Sequence, residues 1–239
     1  MYNLFLSLAA GILVALAVSA TRLGWIASIV PGVLAAAIAY VALNLRGQKR
    51  LSAVANAAVA EAQARRFDRA IQLAKGAMGM KSWLFGSEAF LSALIGQFLW
   101  GKGEQEAALP YLEKAATAQW PARVMLAIAR WRRRDVAGME KVFEETLKAR
   151  GTKKEGFVWC AYAWFLEKED RHDDAVRVLG RGAATNPSDE KLKSALQSLQ
   201  NGKRLKIGKL YMEWYTFGLE APPPMMPPGF RPGRRATYR

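Results

Sequence analysis

GFVWCAYAWFLEKEDRHDDAVRVLGRGAATNP, residues 156–187, is the stretch on which the reading of the fold turns. Apolar and small residues recur in it at helical spacing, in two blocks. The first runs through Trp159, Tyr162, Ala163 and Leu166, the second through Ala175, Val176, Leu179 and Gly182. Between them Glu167, Glu169, Asp170, His172, Asp173 and Asp174 form a polar run that suits an exposed turn. Asp173 and Asp174 fall where the second block would begin, and the positive end of a helix dipole favours negative charge there. Pro187 closes the unit, because proline holds the residue before it out of the helical region. Ala163 and Ala175 supply the small side chains that let two helices cross closely. The stretch reads as a helix–turn–helix.

Outward from it the pattern recurs. A unit near Ala89 has Ile95-Gly96 at the small site, Gly103-Glu104-Gln105 at the turn, and Ala108, Leu109, Leu112 and Ala115 on the second helix. A unit near Trp120 has Ala127 at the small site, then Val136, Met139, Phe143 and Thr146, with Gly151 closing and no turn glycine. A unit near Leu51 continues through Phe67, Ala70, Ile71, Ala74 and Ala77. Ser188-Asp189-Glu190 opens a last helix to Gln200, with Ser188 expected to accept from its free N–H groups.

This arrangement resembles the tetratricopeptide repeat (TPR) family, of the membrane-anchored type, whose ~34-residue unit carries a Trp, small residues in both helices and a closing Pro. The resemblance implies a TPR-like helical solenoid over residues 47–201, about four helix pairs with a C-terminal capping helix. It also implies a concave groove lined by the first helix of each pair. Carried over in register, the groove positions are Phe90, Ala93, Gln97 and Trp100, then Val124, Ile128, Trp131 and Arg132, then Phe157, Cys160, Trp164 and Lys168. Aromatic side chains beside basic ones suit an apolar peptide or helix that carries an acid. The implied partners are other proteins, and the implied role is a scaffold rather than a catalyst.

Ahead of the repeats, residues 1–46 read as a two-helix transmembrane hairpin. No charge occurs from Leu4 to Ala20 or from Leu23 to Leu45, and Arg22 alone separates the runs. A helix needs roughly 20 apolar residues to cross the hydrocarbon core. Gly11 and Ala15 in the first run, and Gly32 and Ala36 in the second, provide the small-residue spacing by which helices pack in lipid. Thr21, Arg22 and Gly24 form the expected turn, and Trp25 an interface anchor. Val18-Ser19-Ala20 resembles a signal cleavage site, but Met1-Tyr2-Asn3 has no basic side chain. Arg46, Lys49 and Arg50 follow the second run, so the positive-inside rule places the repeats in the cytoplasm. The expected setting is a bacterial inner membrane, with Arg46, Lys49 and Arg50 facing anionic lipid headgroups.

Residues 202–239 read as a basic, Pro-rich extended tail. Its apolar residues Tyr211, Trp214, Tyr215, Met225, Met226 and Phe230 mark it as a docking arm, folded back on the repeats or bound to a neighbouring copy in a homo-oligomer. The chain is thus all-α in expectation. Its 239 residues carry a net charge of +15, which points to an anionic partner surface. The alternative function is a nucleic-acid or ribosome tether through Arg130, Arg132, Arg133 and Arg134. With a single cysteine, Cys160, and a single histidine, His172, no disulfide, metal cluster or cofactor is expected. The polar run around His172 is expected to be turn chemistry rather than acid–base catalysis.

Overall fold

The structure is a computed structural model describing residues 2–20 and 25–221, with the side chains of residues 25–28 undescribed. The expected turn at Thr21, Arg22 and Gly24 and the anchor side chain of Trp25 therefore lie outside the described residues, as do Met225, Met226 and Phe230. All regular structure among the described residues is helical. The chain divides into two compact units, residues 1–95 and 96–239.

The first unit opens with α1 (Tyr2–Ser19) and α2 (Trp25–Gln63). Both are long and apolar enough to cross a membrane. Only 17% of the apolar window of α1 and 6% of that of α2 is buried, whereas the core helix of a water-soluble domain is mostly buried. Large apolar side chains point outward, among them Phe5, Ile12, Leu13, Leu16, Val30, Val33 and Ile38. Small ones point inward. A Cβ on Gly11 would lie 2.6 Å from the Gly32 carbonyl oxygen and 2.7 Å from the Ala36 Cβ, and one on Gly32 would lie 2.8 Å from the Ala15 Cβ.

Helix α2 continues for 39 residues, through the basic cluster at Arg46, Lys49 and Arg50. A change from apolar to charged side chains alters what a helix faces, not whether it is helical. Gly47 costs about 1 kcal/mol relative to alanine, too little to end a helix flanked by Leu, Arg, Gln and Lys. The far end of α2 packs on α3 (Phe67–Gly76), burying Ala55 and Ala58 against a helix whose Ala70, Ile71 and Ala74 are buried. A 3-10 turn (Ala77–Ser82) leads to α4 (Ser87–Lys102), within which the division between the units falls.

In the second unit follow α5 (Gln105–Glu113), α6 (Trp120–Arg132), α7 (Val136–Lys148), α8 (Gly156–Lys168), α9 (His172–Thr185) and α10 (Glu190–Gln200). Helix α6 pairs with α7, α8 with α9, and α10 packs on both α8 and α9. Gly96 admits Leu112 where α4 meets α5, and Gly182 admits the Trp159 ring where α9 meets α8. Asp189, rather than the expected Ser188, caps α10: its carboxylate accepts from the backbone N–H of Lys191 at 3.0 Å and of Leu192 at 3.1 Å. The cap must directly precede the first helical turn, and Ser188 lies one residue too early.

One turn recurs along the chain. Arg65, Gly103, Arg134, Asp170 and Gly202 all have left-handed backbone, with φ of 60°, 96°, 64°, 57° and 65°. In each case the N–H of the following residue bonds to a carbonyl five residues back: Arg66 to Glu61, Glu104 to Leu99, Asp135 to Arg130, Arg171 to Leu166 and Lys203 to Ser198, at 2.9 to 3.0 Å. This is the Schellman ending of a helix. The unit near Trp120 has no turn glycine because Arg134 adopts the same conformation in its place.

Candidate functional site

Helix α8 is the centre of the second unit. Every residue from Gly156 to Leu166 is buried, and a helix that is apolar all round must be enclosed all round. Part of the enclosure comes from the C-terminal segment, which forms α11 (Ile207–Leu210) and a 3-10 turn (Met212–Phe217). Leu205, Ile207, Tyr211, Trp214, Tyr215 and Phe217 of this strap are buried. Phe157 stacks on Phe217 with centroids 5.4 Å apart and meets Tyr211 edge-on at 5.7 Å. Trp164 meets Trp214 edge-on at 5.0 Å. From α6, Trp131 reaches Phe165 at 5.2 Å and Trp164 at 6.1 Å, and its indole N–H donates to Glu169 at 2.7 Å.

A polar lock fastens the strap at the start of α8. The Tyr211 hydroxyl donates to the Asp189 carboxylate at 3.3 Å, so one carboxylate both caps α10 and holds the strap. Gly156 makes this possible, since any Cβ there would collide with the Asp189 carboxylate and the Tyr211 hydroxyl. Cys160 lies beside them, its thiol pushed up to about 12 by burial and by the negative charge of Asp189. Burial, with Cys160 and Asp189, likewise holds the Tyr211 phenol above its ordinary range. A thiol so placed stays protonated and unreactive near neutral pH. The Lys191 ammonium lies 5.0 Å from the Tyr211 ring centre and that of Lys168 5.0 Å from Trp164, where ring faces attract cations.

The chain matches no family model, no curated protein and no solved structure.

The residues expected in the groove fall into distinct environments. Val124 and Ile128 are packed in the interior at 1% and 0% exposure, enclosed like their α6 neighbours Met125 and Ala127. Trp100 is buried under the Arg132 guanidinium at 5.5 Å, and Arg132 donates to Gln105 at 2.5 Å. Phe157 and Trp164 lie beneath the chain's own strap. Phe90, Gln97 and Trp131 are half-buried, and Lys168 is exposed. Among the tail residues, Tyr211, Trp214 and Tyr215 are buried. Arg46, Lys49 and Arg50 are exposed on α2.

Reading the sequence alone misses Leu205, Ile207 and Phe217 as strap residues, and Gly156 and Asp189 as the strap's anchors. Alternation of Leu205 and Ile207 with Arg204 and Lys206 hints at a one-sided segment, but nothing local indicates that α8 is its seat. The polar run around His172 forms exposed pairs: His172 with Glu167 at 2.7 Å, and Arg171 with Glu140 at 2.5 Å and Asp174 at 2.6 Å. Among the described residues no three His, Cys, Asp or Glu side chains are grouped to hold a metal ion.

Proposed function

We propose that this protein is a membrane-anchored, TPR-like scaffold. In this reading the α1–α2 hairpin spans a bacterial inner membrane twice and the helix pairs stand in the cytoplasm, with α10 capping the stack. Partner proteins bind through the repeat surface and the basic, Pro-rich tail. We assign it no reaction.

The observation that carries the proposal is the contrast between outward-facing apolar side chains on α1 and α2 and the helix pairs that follow, with their recurring Schellman turn. A broad apolar surface of that kind is not left in water, and a turn repeated at the same place in each helix pair is what stacked units need. The strap shows what the α8 face accommodates: a short aromatic segment with an acceptor for its hydroxyl. That face is occupied in cis, which leaves the tail beyond Ala221 and half-exposed residues such as Phe90, Gln97 and Trp131 to engage partners. The nucleic-acid alternative gains no support from the arginine run: Arg130 pairs with Asp135 at 3.3 Å, Arg133 with Glu106, and Arg132 covers Trp100.

The test is a crosslinking pull-down from native membranes, comparing the full chain with one ending at Ala221, which keeps the strap. A discrete protein set lost with the tail makes the tail the recruiting arm, and a set retained by both assigns recognition to the repeats. Recovery of RNA alone, or release of the full chain by alkaline carbonate without detergent, sinks the proposal.

A further inference from the structure

Within the first unit, a cavity of about 740 Å³ lies beside the start of α1, where α2 carries on past its apolar segment. Asn3, Leu43, Arg46, Arg50, Met80 and Trp83 are among the residues that line it. Its volume is in the range of small-molecule sites. Arg46 and Arg50 are four residues apart, hence neighbours on one face of α2, and like charges so placed repel. Neither forms an ion pair among the described residues. Two guanidiniums converging on an apolar chamber without a carboxylate suit an anion with an apolar body, since guanidinium matches phosphate oxygens in two-point hydrogen bonds.

The surroundings narrow the choice of anion. The loop after α3 carries Trp83, 47% exposed, and Phe85, 99% exposed. The Trp83 ring lies 5.2 Å from that of Tyr2, the first residue of α1. Two aromatic side chains thus meet at the end of an apolar hairpin, with a bare Phe85 two residues further along the loop, where a bilayer's interfacial region would lie and where Trp and Tyr are enriched. A free phosphate would satisfy the arginines and leave the apolar wall unused. A phospholipid fits both parts, and one with net negative charge fits two arginines better than one whose headgroup carries its own cation.

We propose that the cavity binds a single anionic phospholipid, its phosphate held by Arg46 and Arg50 and the start of an acyl chain laid along Leu43, Met80 and Trp83. The proposal rests on reading the hairpin as membrane-spanning. The site would fix the depth of α2 at the membrane surface and make its docking depend on lipid composition.

Native mass spectrometry of the detergent-solubilised full chain tests this, with phosphatidylglycerol, phosphatidylcholine or inorganic phosphate added. The expected result is one retained phosphatidylglycerol, held about tenfold more tightly than phosphatidylcholine because its headgroup carries no cation, and not displaced by millimolar phosphate, which leaves the apolar wall unused. Arg46→Gln and Arg50→Gln should each weaken retention by about tenfold with helix content unchanged, while Arg69→Gln, which lies off the cavity, should not. Equal retention of the two lipids, an equal effect of Arg69→Gln, or displacement by phosphate would overturn the lipid site. Flotation with phosphatidylcholine vesicles separates the two failures. A chain that floats without preferring the anionic lipid has lost only this inference, and one that stays soluble without detergent has lost the membrane reading as well.

Discussion

The α1–α2 hairpin and the α8 neighbourhood are both helix packings, with opposite ordering of side-chain size. At the hairpin contact lie Gly11, Ala15, Gly32 and Ala36, while Phe5, Leu13, Leu16 and Val33 face outward. Around α8 the large rings of Phe157, Trp164, Phe165 and Trp214 are inside, and outer positions hold charged pairs such as Arg181 with Glu144 at 2.8 and 3.0 Å. In water, large apolar groups are driven inward because removing their area from solvent is favourable. In lipid that drive vanishes, and close approach of backbones over small residues takes its place. On the membrane-spanning reading proposed above, the two orderings of side-chain size match the two solvents.

The largest expected effect that bears on this contrast is at Trp214. Replacing it with alanine should lower stability by about 3–5 kcal/mol, as for other buried aromatic truncations. Denaturation of the full chain in mild detergent, followed by near-ultraviolet circular dichroism, reads the loss. Cys160 should become open to alkylation in the same variant. Trp214→Phe should restore most of the stability, since the buried indole N–H of Trp214 has no acceptor among the described residues. A Trp214→Ala variant of full stability would mean that the strap is not part of the core.

The hairpin should respond to enlargement instead. Gly32→Val should cost about 1–3 kcal/mol in SDS-driven unfolding, as overpacking does, whereas Leu13→Ala, with Leu13 67% exposed, should leave the hairpin contact intact. The reverse pattern would make the hairpin a water-type core and erase the contrast.

Alkaline pH should act on the second unit. The Cys160 thiol, ordinarily near 9.0, is held up to about 12, and Tyr162 and Tyr211 are raised above 10.0, chiefly by burial. The unfolded chain releases these protons first, so stability should decline as pH rises from about 9 towards 12. Equal denaturation midpoints at pH 7.5 and pH 10.5 would contradict the enclosure of α8. Tyr211→Phe should cost about 1 kcal/mol, the net worth of its bond to Asp189. The smallest effect has the opposite sign. Arg134→Gly should stabilise by roughly 0.5 kcal/mol, because relief of a left-handed arginine is partly offset by the freer unfolded chain.

The sequence makes the helical character and the apolar hairpin plain, since both rest on local signals: unbroken apolar runs, and small residues at helical spacing around Ala163 and Ala175. Two features are hidden. Arg46-Gly47 after the apolar run looks like a helix end and invites a domain boundary there, but the helix-forming residues on both sides carry α2 through to Gln63. The strap's destination is equally illegible, because the affinity of Trp214 for Trp164 is a contact across fifty residues. Exposed Trp83 and Phe85 go unnoticed between two helical units, though a Trp-Leu-Phe run beside glycine was the available sign.

The length of α2 has a mechanical consequence. From Arg46 to Gln63 the helix extends about 26 Å beyond its apolar segment at 1.5 Å per residue. A tilt of about 10° at the bilayer would swing its far end, and α3 with it, sideways by about 4–5 Å over that length. If the hairpin spans a membrane as proposed, the α2–α3 pair would work as a lever with its fulcrum at the lipid surface. Gly47, the residue of poorest helix propensity on that arm, is where it would yield first.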